Sequence, residues 1–137
     1  MTDNTSIVFA IDPGRFKCGV AVVRRSSEGP EVLHRCVQDT TQLGPLLQEL
    51  AAQFLPETII IGNGTSSSQA LNTIESLRLA PTMLVDEQYS TLLARERYFK
   101  ENPPRGLRKL IPISLQSPPV AYDDYVAVIL AERYLVE

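Results

Sequence analysis

Ile7-Val8-Phe9-Ala10-Ile11-Asp12-Pro13-Gly14 is a nearly continuous apolar run that ends on a carboxylate and a turn. Such a run fits a central strand buried on both faces. Pro13-Gly14 then forces the chain to turn. Two further extended stretches follow, at 17–25 and 31–38, joined by Ser26-Ser27-Glu28-Gly29-Pro30. Three strands joined by tight turns predict an antiparallel meander with the apolar run as its first member.

After residue 40 the apolar period changes. Leu43, Leu46, Leu47, Leu50, Ala51 and Phe54 mark one helical face, with Asp39, Thr40 and Thr41 available as caps and Pro56 as a stop. Thr58-Ile59-Ile60-Ile61-Gly62 is β-branched and short, so it reads as a fourth strand. A helix carrying Leu71, Ile74 and Leu77, a fifth strand over 82–86, and a helix from Ser90 or Thr91 to about Lys100 follow. The 101–119 segment holds Pro103, Pro104, Pro112, Pro118 and Pro119, which excludes regular structure and suggests a functional loop. A last helix is expected from about Val120 to Tyr134. The fold class is therefore α/β: a mixed five-stranded sheet, three antiparallel strands and then alternating strand and helix, flanked by helices. At 137 residues, 1–137 is expected to be a single domain.

Composition narrows the function. No apolar run approaches the ~20 residues of a membrane helix, and the N-terminal residues lack the pattern of a signal peptide. The expectation is a cytoplasmic protein with no membrane partner, monomer or homodimer. Cys18 and Cys36 have no metal-ligand spacing and read as small residues on neighbouring strands. His34 is the only histidine. It lies in an alternating strand and reads as a partly exposed strand residue, so a histidine-based mechanism has little to stand on. The net charge is −3. Its distribution is uneven: Arg95, Arg97, Lys100, Arg105, Arg108 and Lys109 outnumber Glu96 and Glu101 between residues 95 and 119. A basic, proline-rich arm of that kind suits a phosphate backbone.

The acids carry the chemistry. Asp12 closes the first strand, Asp86-Glu87 the fifth, and Asp123-Asp124 open the last helix. Each alone is an ordinary turn or helix-start residue. Together, on this order of elements, they can converge on one sheet edge, and such a cluster needs a counter-charge. A hard divalent cation, Mg²⁺ or Mn²⁺, held by Asp12, Glu87 and Asp123, is the natural one, and phosphodiester hydrolysis the natural reaction. Asp123 shares a helical face with Ala127, Leu130 and Tyr134 and is expected to point inward. Asp124 is rotated from it by about 100° and is expected to face solvent. Arg15 or Lys17 is expected to contact a substrate phosphate. Asn63 and Thr65 lie in a loop that serves equally well as a phosphate turn or as plain helix capping. Arg105, Arg108 and Lys109 would grip the backbone and confer salt dependence.

The motifs in order resemble the YqgF/RuvX family: Ile11-Asp12-Pro13-Gly14 with Cys18-Gly19-Val20-Ala21-Val22, then Asp86-Glu87-Gln88-Tyr89-Ser90-Thr91, then Asp123 with Ala127 and an aliphatic helix. Gln88 stands where that family usually has Arg, and Ile61-Gly62-Asn63-Gly64-Thr65-Ser66 is similar to the corresponding stretch of Tex transcription factors. The resemblance implies a ribonuclease H-like fold related to RuvC resolvases, with Asp12, Glu87 and Asp123 as catalytic and metal-holding positions. It implies a nuclease for structured RNA, in particular maturation of the 5′ end of pre-16S ribosomal RNA. The alternatives are resolution of Holliday junctions in branched DNA and a Tex-like nucleic-acid-binding module that does not cut.

Overall fold

A computed structural model of the chain describes residues 6–64, 66–112 and 115–136. The elements run β1 (Ile7–Asp12), β2 (Lys17–Arg24), β3 (Glu31–Asp39), α1 (Leu43–Phe54), β4 (Thr58–Gly62), α2 (Ser67–Leu77), β5 (Thr82–Val85), α3 (Ser90–Glu101) and α4 (Asp123–Val136). A short 3-10 turn, Thr40–Gln42, leads into α1, and another, Gly106–Leu110, lies in the proline-rich segment. None of the described helices is long and apolar enough to cross a membrane.

The sheet has the order β3-β2-β1-β4-β5. β1 pairs antiparallel with β2, and β2 with β3. β1 pairs parallel with β4, and β4 with β5. The carboxyl ends of β1, β4 and β5 therefore share one sheet edge. The chain leaves β1 toward β2 on one side and returns on the other to form β4. In open α/β sheets such a reversal of strand order opens a crevice at the carboxyl ends, where ligands bind.

Strand alternation divides the core in two. Phe9, Ile11, Val20, Val22, Ile59 and Ile61 face α1 and α2, where Leu43, Leu47, Leu50 and Ile74 meet them. Val8, Ala10, Ala21, Val23 and Ile60 face the other way, onto Val126, Ala127, Leu130 and Ala131 of α4 and Ala94 of α3. Full burial of each Val, Ile, Leu or Phe among them stabilises the fold by roughly 1.5–3 kcal/mol. The small alanines on the second side let α4 approach the sheet closely.

Two local expectations need correction. α4 begins at Asp123 and not near Val120. The paired prolines 118 and 119 hold the preceding chain out of helical geometry, and the Tyr122 carbonyl instead accepts the first helical N–H groups, from Tyr125 at 2.9 Å and Val126 at 3.3 Å. The proline-rich segment has internal order: the buried Gln116 donates from Nε2 to the carbonyls of Arg108 and Ile111, both at 2.9 Å. His34 is half-buried on β3, and its Nε2 is buried without a hydrogen-bond partner. Cys18 is buried and Cys36 half-buried, and both are free thiols.

Candidate active site

Asp12 is the last residue of β1 and lies opposite Gly19 of β2. It continues the side of the strand that Val8 and Ala10 turn toward α4. Glycine within a strand marks a close approach of backbone to backbone, and here the approach is by α4. A Cβ on Gly19 would fall inside the Asp123 carbonyl group. The missing side chain lets the first turn of α4 rest on β2 beside Asp12.

Glu87 stands in the turn between β5 and α3, which is tied down at several points. The Gln88 N–H donates to Asp86 Oδ1 at 3.0 Å, closing an Asx turn. Buried Ser90 donates its N–H (3.0 Å) and its hydroxyl (2.6 Å) to the Glu87 carbonyl. The Glu87 N–H donates to Asn63 Oδ1 at 3.3 Å, and the Asn63 N–H to the Val85 carbonyl at 3.0 Å. Arg133 reaches across from α4, with Nη1 3.0 Å from the Asp86 carbonyl and Nη2 2.9 Å from that of Gln88. The Glu87 carboxylate lies in a crease made by two glycines. A Cβ on Gly62 would come within 2.5 Å of Oε2, and one on Gly64 within 2.5 Å of Oε1.

Asp12 feels the other two carboxylates. Asp12 is pushed up to about 7, first by burial and then by the charges of Asp123 and Glu87. Asp123 is also raised, by burial and by Asp124, while Lys17 pulls it back. The Cys18 thiol, next along β2, is pushed up to about 12 by burial, with Cys36, Asp12 and Asp123 adding to the effect. Among the described residues no ion pair engages Asp12, Glu87 or Asp123. Nor do any three acids, histidines or cysteines there stand at the closer spacing of a chelate. The donor set is all carboxylate oxygen, which matches hard divalent cations, and the glycine crease leaves room around Glu87. The residues present fit such an ion.

Asp124 corrects the helical-wheel expectation. It is 6% exposed and not solvent-facing. Its Oδ2 accepts from Arg35 Nη1 of β3 at 2.6 Å. The Arg35 guanidinium also stacks 4.3 Å from the centroid of the Tyr125 ring. The Tyr125 hydroxyl donates to Glu101 Oε1 at 3.0 Å, and Arg97 bridges Glu101 and Glu132 at 2.9 Å each. This chain of contacts pins the start of α4 to β3 and to the end of α3, and so fixes Asp123. A partner 89 residues away decides which face of the helix is inside.

The remaining expected residues part company. Lys17 joins the cluster through Asp123. Arg15 does not: its guanidinium sits 5.1 Å from the Phe16 ring, over a separate cavity. Asn63 is engaged in holding the Glu87 backbone. Thr65 lies outside the described residues. Arg105, Arg108 and Lys109 are exposed on the proline-rich loop, where Arg108 Nη2 also donates to the Ser117 carbonyl at 3.3 Å. Gly19, Gly62, Gly64, Arg35 and Arg133 shape the site and were not anticipated. Gly19 had a signal, as a glycine inside a strand. The two arginines had none.

No family model matches the chain, and no curated protein matches it in sequence. Solved structures do match in fold. RuvC of T. thermophilus in complex with Holliday junction substrate is 18% identical, with 92% of this chain and 90% of that chain covered and a TM-score of 0.59. The fowlpox virus Holliday junction resolvase is 11% identical, with 95% and 97% covered and a TM-score of 0.63. The yeast mitochondrial Holliday junction resolvase Ydc2 is 14% identical, with 98% and 80% covered and a TM-score of 0.57. The likeness is one of fold: α/β and ribonuclease H-like, with the mixed five-stranded sheet and flanking helices described above.

Proposed function

We propose that the chain is a metal-dependent endonuclease that hydrolyses phosphodiesters of structured nucleic acid. The observation that carries this reading is the approach of Asp12, Glu87 and Asp123 from β1, the β5–α3 turn and α4 toward one sheet edge, with Asp12 raised by burial and then by the charges of the other two. These three residues would hold Mg²⁺ or Mn²⁺, which when bound supplies charge neutralisation at the phosphoryl oxygens and acidifies water. The chain's own groups do the rest. Arg133, Asn63 and Ser90 keep Glu87 in place, the Arg35–Asp124 pair keeps Asp123 in place, and Lys17 offers positive charge to a substrate phosphate. The exposed basic loop supplies further phosphate contacts.

The substrate follows from two kinds of support. The three solved structures named above are Holliday junction resolvases, one of them with its junction bound, which favours branched DNA. The order of the sequence motifs favours the 5′ end of pre-16S ribosomal RNA. A side-by-side assay with Mn²⁺ decides between them. Purified protein is expected to cut at least one of a four-way DNA junction and a structured RNA containing that 5′ end. Asp12→Asn is expected to abolish cutting and spare binding. If both substrates are bound and stay intact, the chain is a binding module and the nuclease reading is wrong.

A further inference from the structure

On the other side of the β1–β2 turn from Asp12 lies a cavity of about 620 Å³ that takes no part in the acid cluster. Its floor is apolar, made by the buried Cys18, Leu43 and Ala70. Its rim is polar, with Asp39, Thr41, Gln69 and Thr73 exposed around the mouth. Phe16 stands at that mouth, 74% exposed, with the Arg15 guanidinium beside its ring. An aromatic ring left in water gains from any apolar cover, and a flat one covers the most of its face. The turn that carries it is not loose: the Thr40 N–H donates to the Phe16 carbonyl at 2.9 Å, and the Thr40 hydroxyl to the Gly14 carbonyl at 2.8 Å. The wall is preformed.

A nucleobase matches these features. It has apolar faces for Phe16 and the cavity floor, and polar edges for the rim. Its attached phosphate suits Arg15, which has no ion-pair partner among the described residues. The volume falls within the range of small-molecule sites. Residues 13–16 follow Asp12 directly, so this turn adjoins the proposed acid site. We propose that the cavity receives an unpaired nucleobase of the bound strand, stacked on Phe16, and that the enzyme thereby selects branched or looped substrates over uniform duplex. The proposal rests on the nuclease reading for the strand that delivers the base.

The test uses the full chain in Ca²⁺ with three probes: a four-way DNA junction and an RNA hairpin, each with 2-aminopurine at a branch or loop position, and a fully paired duplex. Wild-type protein is expected to change the 2-aminopurine fluorescence of the junction, the hairpin or both, which separates the DNA source from the RNA source. Phe16→Ala is expected to abolish that change and to weaken binding of the responsive probe about 10-fold or more, while duplex binding holds. Phe16→Trp is expected to keep both. Gly44→Leu is a second variant that leaves the core alone, because Gly44 lines the cavity and a Cβ there meets nothing within 4 Å. It is expected to narrow the cavity and reproduce the Phe16→Ala loss. If the probes bind by anisotropy with no 2-aminopurine response, or Phe16→Ala behaves as wild type, the base site is wrong even if the protein cuts. A response without any cutting in Mn²⁺ would sustain the base site and overturn the nuclease. Failure to bind any probe would overturn both.

Discussion

A methyl group at Gly19 would collide with the backbone of Asp123, whereas one at Gly62 or Gly64 would meet the flexible end of Glu87. The two kinds of clash predict different outcomes. Backbone on both sides cannot yield cheaply, so Gly19→Ala is expected to push α4 off the sheet and cost at least about 2 kcal/mol in urea unfolding. Gly64→Ala, where a Cβ meets only the Glu87 carboxylate, is expected to change stability by less than about 1 kcal/mol, since a side-chain tip can swing away. It should instead blunt the rise in melting temperature on adding Mn²⁺, because the displaced carboxylate is one of the proposed donors. Asp12 makes a third prediction. Its folded-state carboxyl titrates at about 7 against 3.8 for the ordinary group. The folded chain then binds more protons than the unfolded one between those values, so metal-free stability falls as pH rises from about 4 to about 7. Asp12→Asn is expected to reduce that slope, leaving the part that belongs to Asp123, which is also raised. Full burial would make the gain about 4 kcal/mol; partial exposure reduces it to about 2 kcal/mol. Urea unfolding at pH about 8 should show the gain and at pH about 4 should not.

The elements were legible because their signals are local. The apolar run of β1, the β-branched run of β4 and the 3-4 spacing in α1 each declare themselves within a dozen residues. Asp12 and Glu87 were legible for the same reason, as carboxylates at the ends of strands, although only the parallel pairing of β1, β4 and β5 puts those ends together. What could not be read depends on partners distant in the chain. Asp124 turns inward because Arg35 waits on β3, and Arg133 grips a turn 45 and 47 residues earlier. Arg15 and Lys17 are two residues apart, yet one faces the cavity and the other the acids. Arg133→Ala is expected to cost only about 0.5–1.5 kcal/mol in stability, since the carbonyls it releases are near solvent. It should lower the cleavage rate more than substrate binding, which separates loosening of Glu87 from loss of a substrate contact. Helix ends carry a further expectation. Leu55 caps α1 in a left-handed conformation (φ 50°) and is 79% exposed. Glycine tolerates that conformation without a Cβ clash, so Leu55→Gly is expected to stabilise the fold by about 0.5–1 kcal/mol in thermal unfolding.

Over the whole molecule the charge of −3 conceals a division of labour. Acids are gathered at one sheet edge, while Arg105, Arg108 and Lys109 stand on the loop between α3 and α4. If the loop contacts phosphates, replacing Arg105 and Lys109 by Ala should reduce the slope of log affinity against log salt by about 2, with no change in melting temperature. The same long-range architecture governs how the chain comes into being. β1 and β2 are made well before α4, yet the side formed by Val8, Ala10, Ala21 and Val23 is covered mainly by that helix. Until α4 has been made, a nascent chain therefore carries a bare, sticky half-sheet, a hazard that chaperones exist to manage. Asp123 arrives with that same helix, so the three proposed metal donors come together only once α4 has docked on the sheet.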